Sequence, residues 1–571
     1  MKNIQGIAAS PGIAQGKTFV FAHQELDLTK PPIQPAQCAQ EQERFYQGRK
    51  LAEAQIRTIH KKALKNLSEA EAEVFEGHIE LLNDEELESE INDAINKDLL
   101  CAELAVKKAI DANVADMEEL ENEYMRERAA DLRDIGKRLM YCIAGVSLAD
   151  MSAIDSPVIV IAKDLTPSET AQMDKQYILG FITAVGGPTS HVAIMARSLE
   201  IPAVVGCGES ILDLASGQFI VLDGSNGSIV VDPDTQTLET FRTLAEQNVQ
   251  KKLELSKLKD LPAITTDNHR VEMAANIGSD SEVTGVLGYG AEGIGLFRTE
   301  FLFMDKASMP TEEEQFEAYK KAAQGMGGKG VIVRTIDVGG DKGLDYLAFP
   351  HELNPFLGWR AIRMCFDTPS ILQTQLRALL RASAFGKIRI MFPMVISVEE
   401  VWELRKMVDA EKKGLESKAI AYDPKVEIGI MIETPAAAVI ANKLARYVDF
   451  LSIGTNDLTQ YTLAIDRGNE KIAHLYRTYH PAVLRLISTV VQAAHSQKIW
   501  AGMCGEFAGN QEATKLLVGL GLDELSMSGP SIPRVKSVIR SISYSDARAL
   551  ATKALDLETA DQVEEMVRTH S

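Results

Sequence analysis

A chain of 571 residues is too long for one hydrophobic core and must fold as several domains. Its 45% hydrophobic and 25% charged residues are ordinary for a globular protein, and no apolar run approaches the ~20 residues that would span a bilayer. The formal charge of −21 argues against a nucleic-acid partner, because phosphate backbones are met by clustered Lys and Arg.

The N-terminus, Met1-Lys2-Asn3-Ile4-Gln5-Gly6, lacks the basic flank and apolar centre of a signal peptide. Cysteines 38, 101, 142, 207, 365 and 504 lie far apart with no CxxC pair, a pattern that fits free thiols in a reducing cytoplasm. A strand is expected at Thr18–Phe21. Residues 36–145 then read as helix almost throughout, as in Gln40–Lys65, Glu69–Leu82 and Asp116–Ile143, with a turn at Asn83-Asp84. From Glu69 to Asp98 there are twelve acidic residues and one lysine, a local net of −11. Such a run is either a solvated helical surface or a docking face for a small basic protein.

β-rich runs return at Val158–Ala162, Gly180–Ala184, Ala203–Gly206, Phe219–Asp223 and Ser228–Val231, alternating with helices at Ser168–Asp174 and Ser190–Glu200. Residues 1–35 and 146–235 therefore read as one α/β domain with residues 36–145 inserted as a helical domain. Within it, Gly186-Gly187-Pro188-Thr189-Ser190-His191 runs from a glycine turn into a helix with an apolar stripe at 192, 195, 196 and 199. Thr189 or Ser190 can cap that helix, which puts His191 in the first turn, where free N–H groups and the helix dipole favour a phosphate. A neutral imidazole there can accept a phosphoryl group. A capped helix with an exposed histidine fits the same residues, and the local motif does not choose.

A charged helix, Thr237–Leu258, ends before Pro262 and makes residues 236–262 a linker. Over residues 263–571, eight strands recur between helices: Val271–Asn276, Gly293–Phe297, Val331–Thr335, Arg389–Phe392, Glu427–Ile432, Phe450–Gly454, Ile499–Met503 and Glu524–Met527. Eight β/α units predict a TIM barrel, whose active site forms where the strands end. Those ends carry Asn276, Arg298, Arg334, Pro393, Glu433, Asn456-Asp457, Cys504 and Ser526. Arg298 and Arg334, with Arg467 and Arg360 as a third and fourth, suit a carboxylate or phosphate, although Arg360 can equally pair with a structural carboxylate. Glu433 and Asp457 offer two hard oxygens, too few for a calcium cage and suited to Mg²⁺ beside a small phosphorylated acid. The Cys504 thiol would lie close enough to move a proton to or from such a ligand.

These segments, together with Ala9-Ser10-Pro11-Gly12-Ile13-Ala14, Glu127-Arg128-Ala129-Ala130-Asp131, Asp164–Thr170, Asp337–Lys342 and Asn354–Arg363, closely resemble enzyme I of the bacterial phosphoenolpyruvate:sugar phosphotransferase system, over essentially the whole chain. The resemblance implies a phosphotransferase that takes the phosphoryl group of phosphoenolpyruvate onto Nε2 of His191, releases pyruvate, and passes the group to the phosphocarrier HPr to drive sugar uptake. It implies that Thr170 orients the His191 ring, that Arg298, Arg334, Asn456, Asp457 and Arg467 bind phosphoenolpyruvate, that Glu433 and Asp457 hold Mg²⁺, and that Cys504 protonates C3 of the enolpyruvate. The acidic insertion becomes the HPr-docking domain, with Leu81, Glu86, Leu87 and Arg128 as contacts, and the barrel becomes the site of homodimerisation. Because donor site and His191 lie on different domains, the His domain is expected to swing about the linker.

One departure falls at position 188, where Pro stands in place of the Arg that many such sequences carry. Pro suits the entrance to a helix but removes a cation beside the phosphoryl group. A pyruvate phosphate dikinase or phosphoenolpyruvate synthase would need a nucleotide-binding domain, and no P-loop is present. The nitrogen-related branch of enzyme I carries a sensory domain in front, whereas here the Ala9-Ser10-Pro11-Gly12 segment begins at once. A non-catalytic signalling protein of the same fold would not be expected to keep His191, Arg298, Arg334, Glu433, Asp457 and Cys504 together.

Overall fold

The computed structural model describes residues 2–570 except 22–25, 27, 30, 67–68, 120–122, 147–153, 155, 166–168, 170–175, 188–189, 200, 305, 307, 341–342, 345, 348, 468 and 470. Its contacts divide into two compact units, Met1–Lys251 and Lys252–Ser571.

The first unit begins with three strands, Lys2–Gln5 (β1), Ile7–Ser10 (β2) and Ile13–Phe21 (β3), where the sequence pattern places only Thr18–Phe21. The extra strands are made by distant partners: β1 pairs with Ser228–Val231 (β8), β2 with Ala203–Val205 (β6) and β3 with Phe219–Asp223 (β7), all antiparallel. The Ala, Gly and Pro of this stretch carry little strand preference of their own, so pairing decides. With Val158–Ala162 (β4) and Ile178–Thr183 (β5), the described strands form an eight-stranded sheet in the order β1-β8-β7-β3-β4-β5-β6-β2, in which β3 to β6 run parallel. β4 is buried on both faces, as its unbroken Val-Ile-Val-Ile-Ala requires. Val158 and Val160 join one apolar layer and Ile159 and Ile161 the other.

The helical insertion contains Cys38–Asn66 (α1), Glu69–Leu82 (α2), Glu85–Asn96 (α3), Ala102–Glu119 (α4) and Glu123–Ala144 (α5). Phe45, Ile56, Ile91, Ile95, Val106 and Leu139 form its centre. The turn expected at Asn83-Asp84 is present, and the Asp84 carboxylate caps α3 by accepting from the N–H groups of Glu86 and Leu87, both at 2.9 Å. Of the helix expected over Asp116–Ile143, the described residues form the end of α4, to Glu119, and most of α5, from Glu123, two helices that pack against one another, and residues 120–122 between them lie outside the described residues. The Lys137 ammonium of α5 lies 3.2 Å from the Glu169 carboxylate, on the segment joining β4 to β5. Apart from Glu169, the helix expected at Ser168–Asp174 falls outside the described residues.

Beyond β5, His191–Ser198 (α6) packs on the sheet, and Thr235–Ser256 (α7) follows β8. The second unit is a closed, all-parallel barrel: Glu272–Ile277 (β9), Gly293–Arg298 (β10), Val331–Arg334 (β11), Ile388–Phe392 (β12), Glu427–Ile432 (β13), Phe450–Ile453 (β14), Trp500–Met503 (β15) and Glu524–Met527 (β16). All eight expected strands are present, with no end moved by more than one residue. Leu296, Ile332, Met391, Met431, Phe450 and Cys504 pack together as one cluster of the barrel unit. Near the strand starts, the Arg389 guanidinium sits 5.1 Å over Trp500, which stacks on Phe450 with centroids 4.6 Å apart. Gly295 makes room there, since a Cβ would come within 2.7 Å of the buried Glu524 carboxylate. Among the described residues no helix is long and apolar enough to cross a membrane.

Candidate functional site

The carboxyl ends of β10, β11, β13 and β14 bring together most of the charged residues singled out in the barrel. Arg334 ends β11 and pairs with the Glu300 carboxylate and, at 3.0 Å, with Asp337. Arg360, only 3% exposed, donates from Nε and Nη2 to Asp337 at 2.8 and 3.0 Å, from Nη2 to Asp457 Oδ2 at 2.8 Å, and from Nη1 to the Tyr461 hydroxyl at 3.2 Å. Of the two fates open to Arg360, the structure therefore places it on carboxylates. Burial opposes both guanidinium charges, but Glu300 and Asp337 around Arg334, and Asp337 and Asp457 around Arg360, more than offset it and hold both above their ordinary values.

Glu433 follows β13, is 1% exposed, and accepts from the Met394 N–H at 2.6 Å. Met394 has a φ of +57°, a left-handed backbone rare outside glycine and often found at functional sites. Burial, then the Asp457 and Asp337 carboxylates, push the Glu433 carboxyl up to about 8. Asp457 lies in the first turn of the helix Thr455–Leu463; Arg360 occupies its Oδ2, while its Oδ1 is buried with no hydrogen-bond partner among the described residues. Asn456 beside it exchanges hydrogen bonds with Glu506, its amide donating to the carboxylate at 3.2 Å and its oxygen accepting the Glu506 N–H at 3.1 Å. Arg298 sits in register with Arg334 at the end of β10, half-buried and without an ion pair among the described residues. Arg467 is exposed on the loop after that helix.

Cys504 follows β15 with its thiol 3.8 Å from the Ile453 carbonyl. Burial pushes it up to about 11, so at neutral pH it carries its proton. Asn276 and Ser526 serve as supports: the Asn276 amide donates to the Cys504 carbonyl at 3.1 Å, and the Ser526 hydroxyl donates to Asn276 at 2.6 Å. Sequence reasoning missed Glu300, Asp337 and Tyr461. Asp337 did carry a signal, because it interrupts the apolar run Val331-Ile332-Val333…Ile336…Val338.

Among the described residues no group of three or more His, Cys, Asp or Glu side chains is placed to hold a metal ion. The charges at the barrel mouth do fit a divalent cation. Among the described residues of the network, two guanidiniums face four carboxylates, an excess of two negative charges when Glu433 is ionised. Buried charges of one sign are costly unless paired. Protonation of Glu433 relieves half of the excess; a bound dication would relieve all of it.

In the first unit, α6 starts at His191, capped by the Ser190 hydroxyl, which accepts the Ala193 N–H at 3.4 Å. Gly186 adopts a φ of +107°, which favours glycine. Val192, Met195 and Ala196 are buried and Leu199 packs against them, so the expected stripe faces the sheet. Thr170, Pro188 and Thr189, and the side chains of His191 and Arg128, lie outside the described residues. Eight acidic residues from Glu76 to Asp98 are exposed on and beside α2 and α3. Leu81 is half-buried and Glu86 exposed, but Leu87 is 7% exposed within the helical core. Leu87 lies with Ile91, one helical turn away, on the inward face of α3.

Three family models match the chain: PEP-utilising enzyme, N-terminal, over residues 5–128; the mobile domain over 154–227; and the PEP-binding domain over 252–544. A phosphoenolpyruvate-protein phosphotransferase of Haemophilus influenzae is 49% identical over 564 residues, 99% of this chain and 98% of its own. One from Listeria innocua is 45% identical over 100% of this chain and 99% of its own. A solution structure of an Enzyme I protein covers 43% of this chain and 99% of its own, at 42% identity and a TM-score of 0.40.

Proposed function

The chain belongs to the phosphoenolpyruvate-protein phosphotransferases, and from that premise we propose that it moves the phosphoryl group of phosphoenolpyruvate onto its own His191 and then onto a histidine of HPr. The observation that carries this reading is the excess of buried carboxylate at the barrel mouth. Glu433 and Asp457, through its unpartnered Oδ1, would hold Mg²⁺, which commonly takes one or two carboxylates and completes its shell with water and substrate phosphate. When bound, the cation would offset negative charge on the transferring phosphoryl group.

Arg298, beside Arg334 and without an ion pair among the described residues, is the guanidinium most open to the substrate phosphate or carboxylate, with Arg334, Asn456 and Arg467 completing the site. Nε2 of His191 attacks phosphorus as the bond to the enol oxygen breaks, leaving phosphohistidine and the enolate of pyruvate. C3 of the enolate takes a proton from the Cys504 thiol, which water then restores. Thr170 would hold the His191 ring through its other nitrogen. Phosphohistidine is then attacked by the HPr histidine.

In this reading residues 1–35 and 146–235 carry the phosphohistidine and 36–145 dock HPr through the acidic face, with Leu81, Glu86 and Arg128 at the contact. Residues 236–262 link the halves and allow a swing, and 263–571 bind phosphoenolpyruvate. In the same reading the barrel domain carries the contact between two copies of the chain. The free thiols suit the cytoplasm. The test is incubation with phosphoryl-labelled phosphoenolpyruvate and Mg²⁺, with and without HPr. Acid-labile label should appear on His191 and pass to HPr; label that survives His191→Ala would overturn the assignment.

A further inference from the structure

The arrangement around Arg360 separates two roles that its charge alone leaves mixed. A guanidinium has five N–H donors. Four of those on Arg360 are engaged: two by Asp337, one by Asp457 Oδ2 and one by the Tyr461 hydroxyl. A substrate oxygen could claim Arg360 only by displacing one of these buried partners. Asp337, 0% exposed, also reaches Arg334, so one carboxylate ties the loop bearing Arg360 to the end of β11. On the far side, Arg360 occupies one oxygen of Asp457 and leaves Oδ1 buried and unpartnered. A buried acceptor without a partner is costly to keep and marks a place for a ligand.

We propose that Asp337 and Arg360 are positioning residues, which hold Asp457 so that Oδ2 is committed and Oδ1 is presented to a divalent cation, and that Arg360 does not bind substrate. The chain of contacts is Arg334 to Asp337 to Arg360 to Asp457, so the guanidinium at the end of β11 and the acid after β14 are set by one buried link. Tyr461 limits the movement of Arg360 from the other side, since its hydroxyl accepts from Arg360 and donates to the Phe356 carbonyl. Lysine at 360 would keep the charge but could not span both carboxylates in the plane of a guanidinium.

This rests on Glu433 and Asp457 being the cation ligands, so the test measures binding apart from turnover. The full-length protein, free of phosphoenolpyruvate, is titrated with Mn²⁺ followed by electron paramagnetic resonance; His191 labelling is measured in parallel. Arg360→Lys and Asp337→Asn should each weaken Mn²⁺ binding and slow labelling by about 10–100-fold, with the KM for phosphoenolpyruvate within about threefold of the parent. Asp337→Glu should recover part of both. Should Asp337→Asn fail to fold by circular dichroism, Arg360→Lys carries the test. A KM raised tenfold or more with Mn²⁺ affinity unchanged would make Arg360 a substrate ligand and overturn the proposal. If Asp457→Asn binds Mn²⁺ as the parent does, the ligand assignment itself is wrong, and this inference falls with it.

Discussion

The barrel mouth and the α6 edge of the sheet are made of opposite materials. At the mouth, Arg334, Arg360, Glu300, Asp337, Glu433 and Asp457 are all buried and hold one another by charge. At the edge, the helix that opens with His191 is kept in place by a glycine turn, one serine hydroxyl and an apolar stripe. Ionic groups out of water depend on their partners, so the mouth should respond as a unit. A cap and a stripe contribute in small independent steps. The difference shows where the molecule requires a rigid electrostatic frame and where ordinary packing is enough.

The sharpest way to break this comparison is to remove one charge from the mouth. Asp337→Ala strands two guanidiniums and should cost about 3–5 kcal/mol, the penalty for leaving buried charge uncompensated. Trp359, Trp402 and Trp500 all lie in the second unit, so urea unfolding followed by tryptophan fluorescence reads the barrel directly. A loss below about 1 kcal/mol would mean that the network is not coupled.

A smaller effect should come from the opposite end of the barrel. Burial, with Glu272 as its register neighbour, pushes the Glu524 carboxyl from 4.5 up to about 8. The folded chain then holds a proton that the unfolded chain releases. This contribution to stability is complete below pH 4.5 and is lost as pH rises toward 8. Glu524→Gln should flatten that part of the barrel's stability profile, measured by the same fluorescence between pH 5 and 8.5; an unchanged slope would show that Glu524 ionises normally. The smallest effect belongs to the edge. Ser190→Ala removes the cap of α6 and should cost about 1 kcal/mol, read by hydrogen exchange of α6 amides, with the barrel's fluorescence transition unmoved.

Much of this contrast was legible in the residues. The eight barrel strands are short, largely apolar runs between helices, richest in Val and Ile at Val331–Arg334, Ile388–Phe392 and Glu427–Ile432, and buried parallel strands leave that trace whatever surrounds them. The helix after His191 showed its stripe and its cap for the same reason, since both are local. Strands β1 and β2 were not legible, because Ala8, Ala9 and Ser10 become a strand only through partners some two hundred residues away. Glu300 and Asp337 were hidden differently. The sequence shows four arginines and many acids, but which carboxylate meets which guanidinium is set by how eight loops converge. That convergence also decides that Arg360 faces Asp337, and that Leu87 faces Ile91 inside its helical core.

The packed interior of the barrel has a kinetic meaning. With Leu296, Ile332, Met391, Met431 and Phe450 packed together, and Arg389, Trp500 and Glu524 near the strand starts, the barrel is a filled core rather than a channel, and a fold of this kind carries its site at the strand ends. Whatever enters at the strand ends must leave by the same door. In the proposed reaction, spent substrate therefore stands in the path of its successor, and a product that lingers competes with the molecule from which it came.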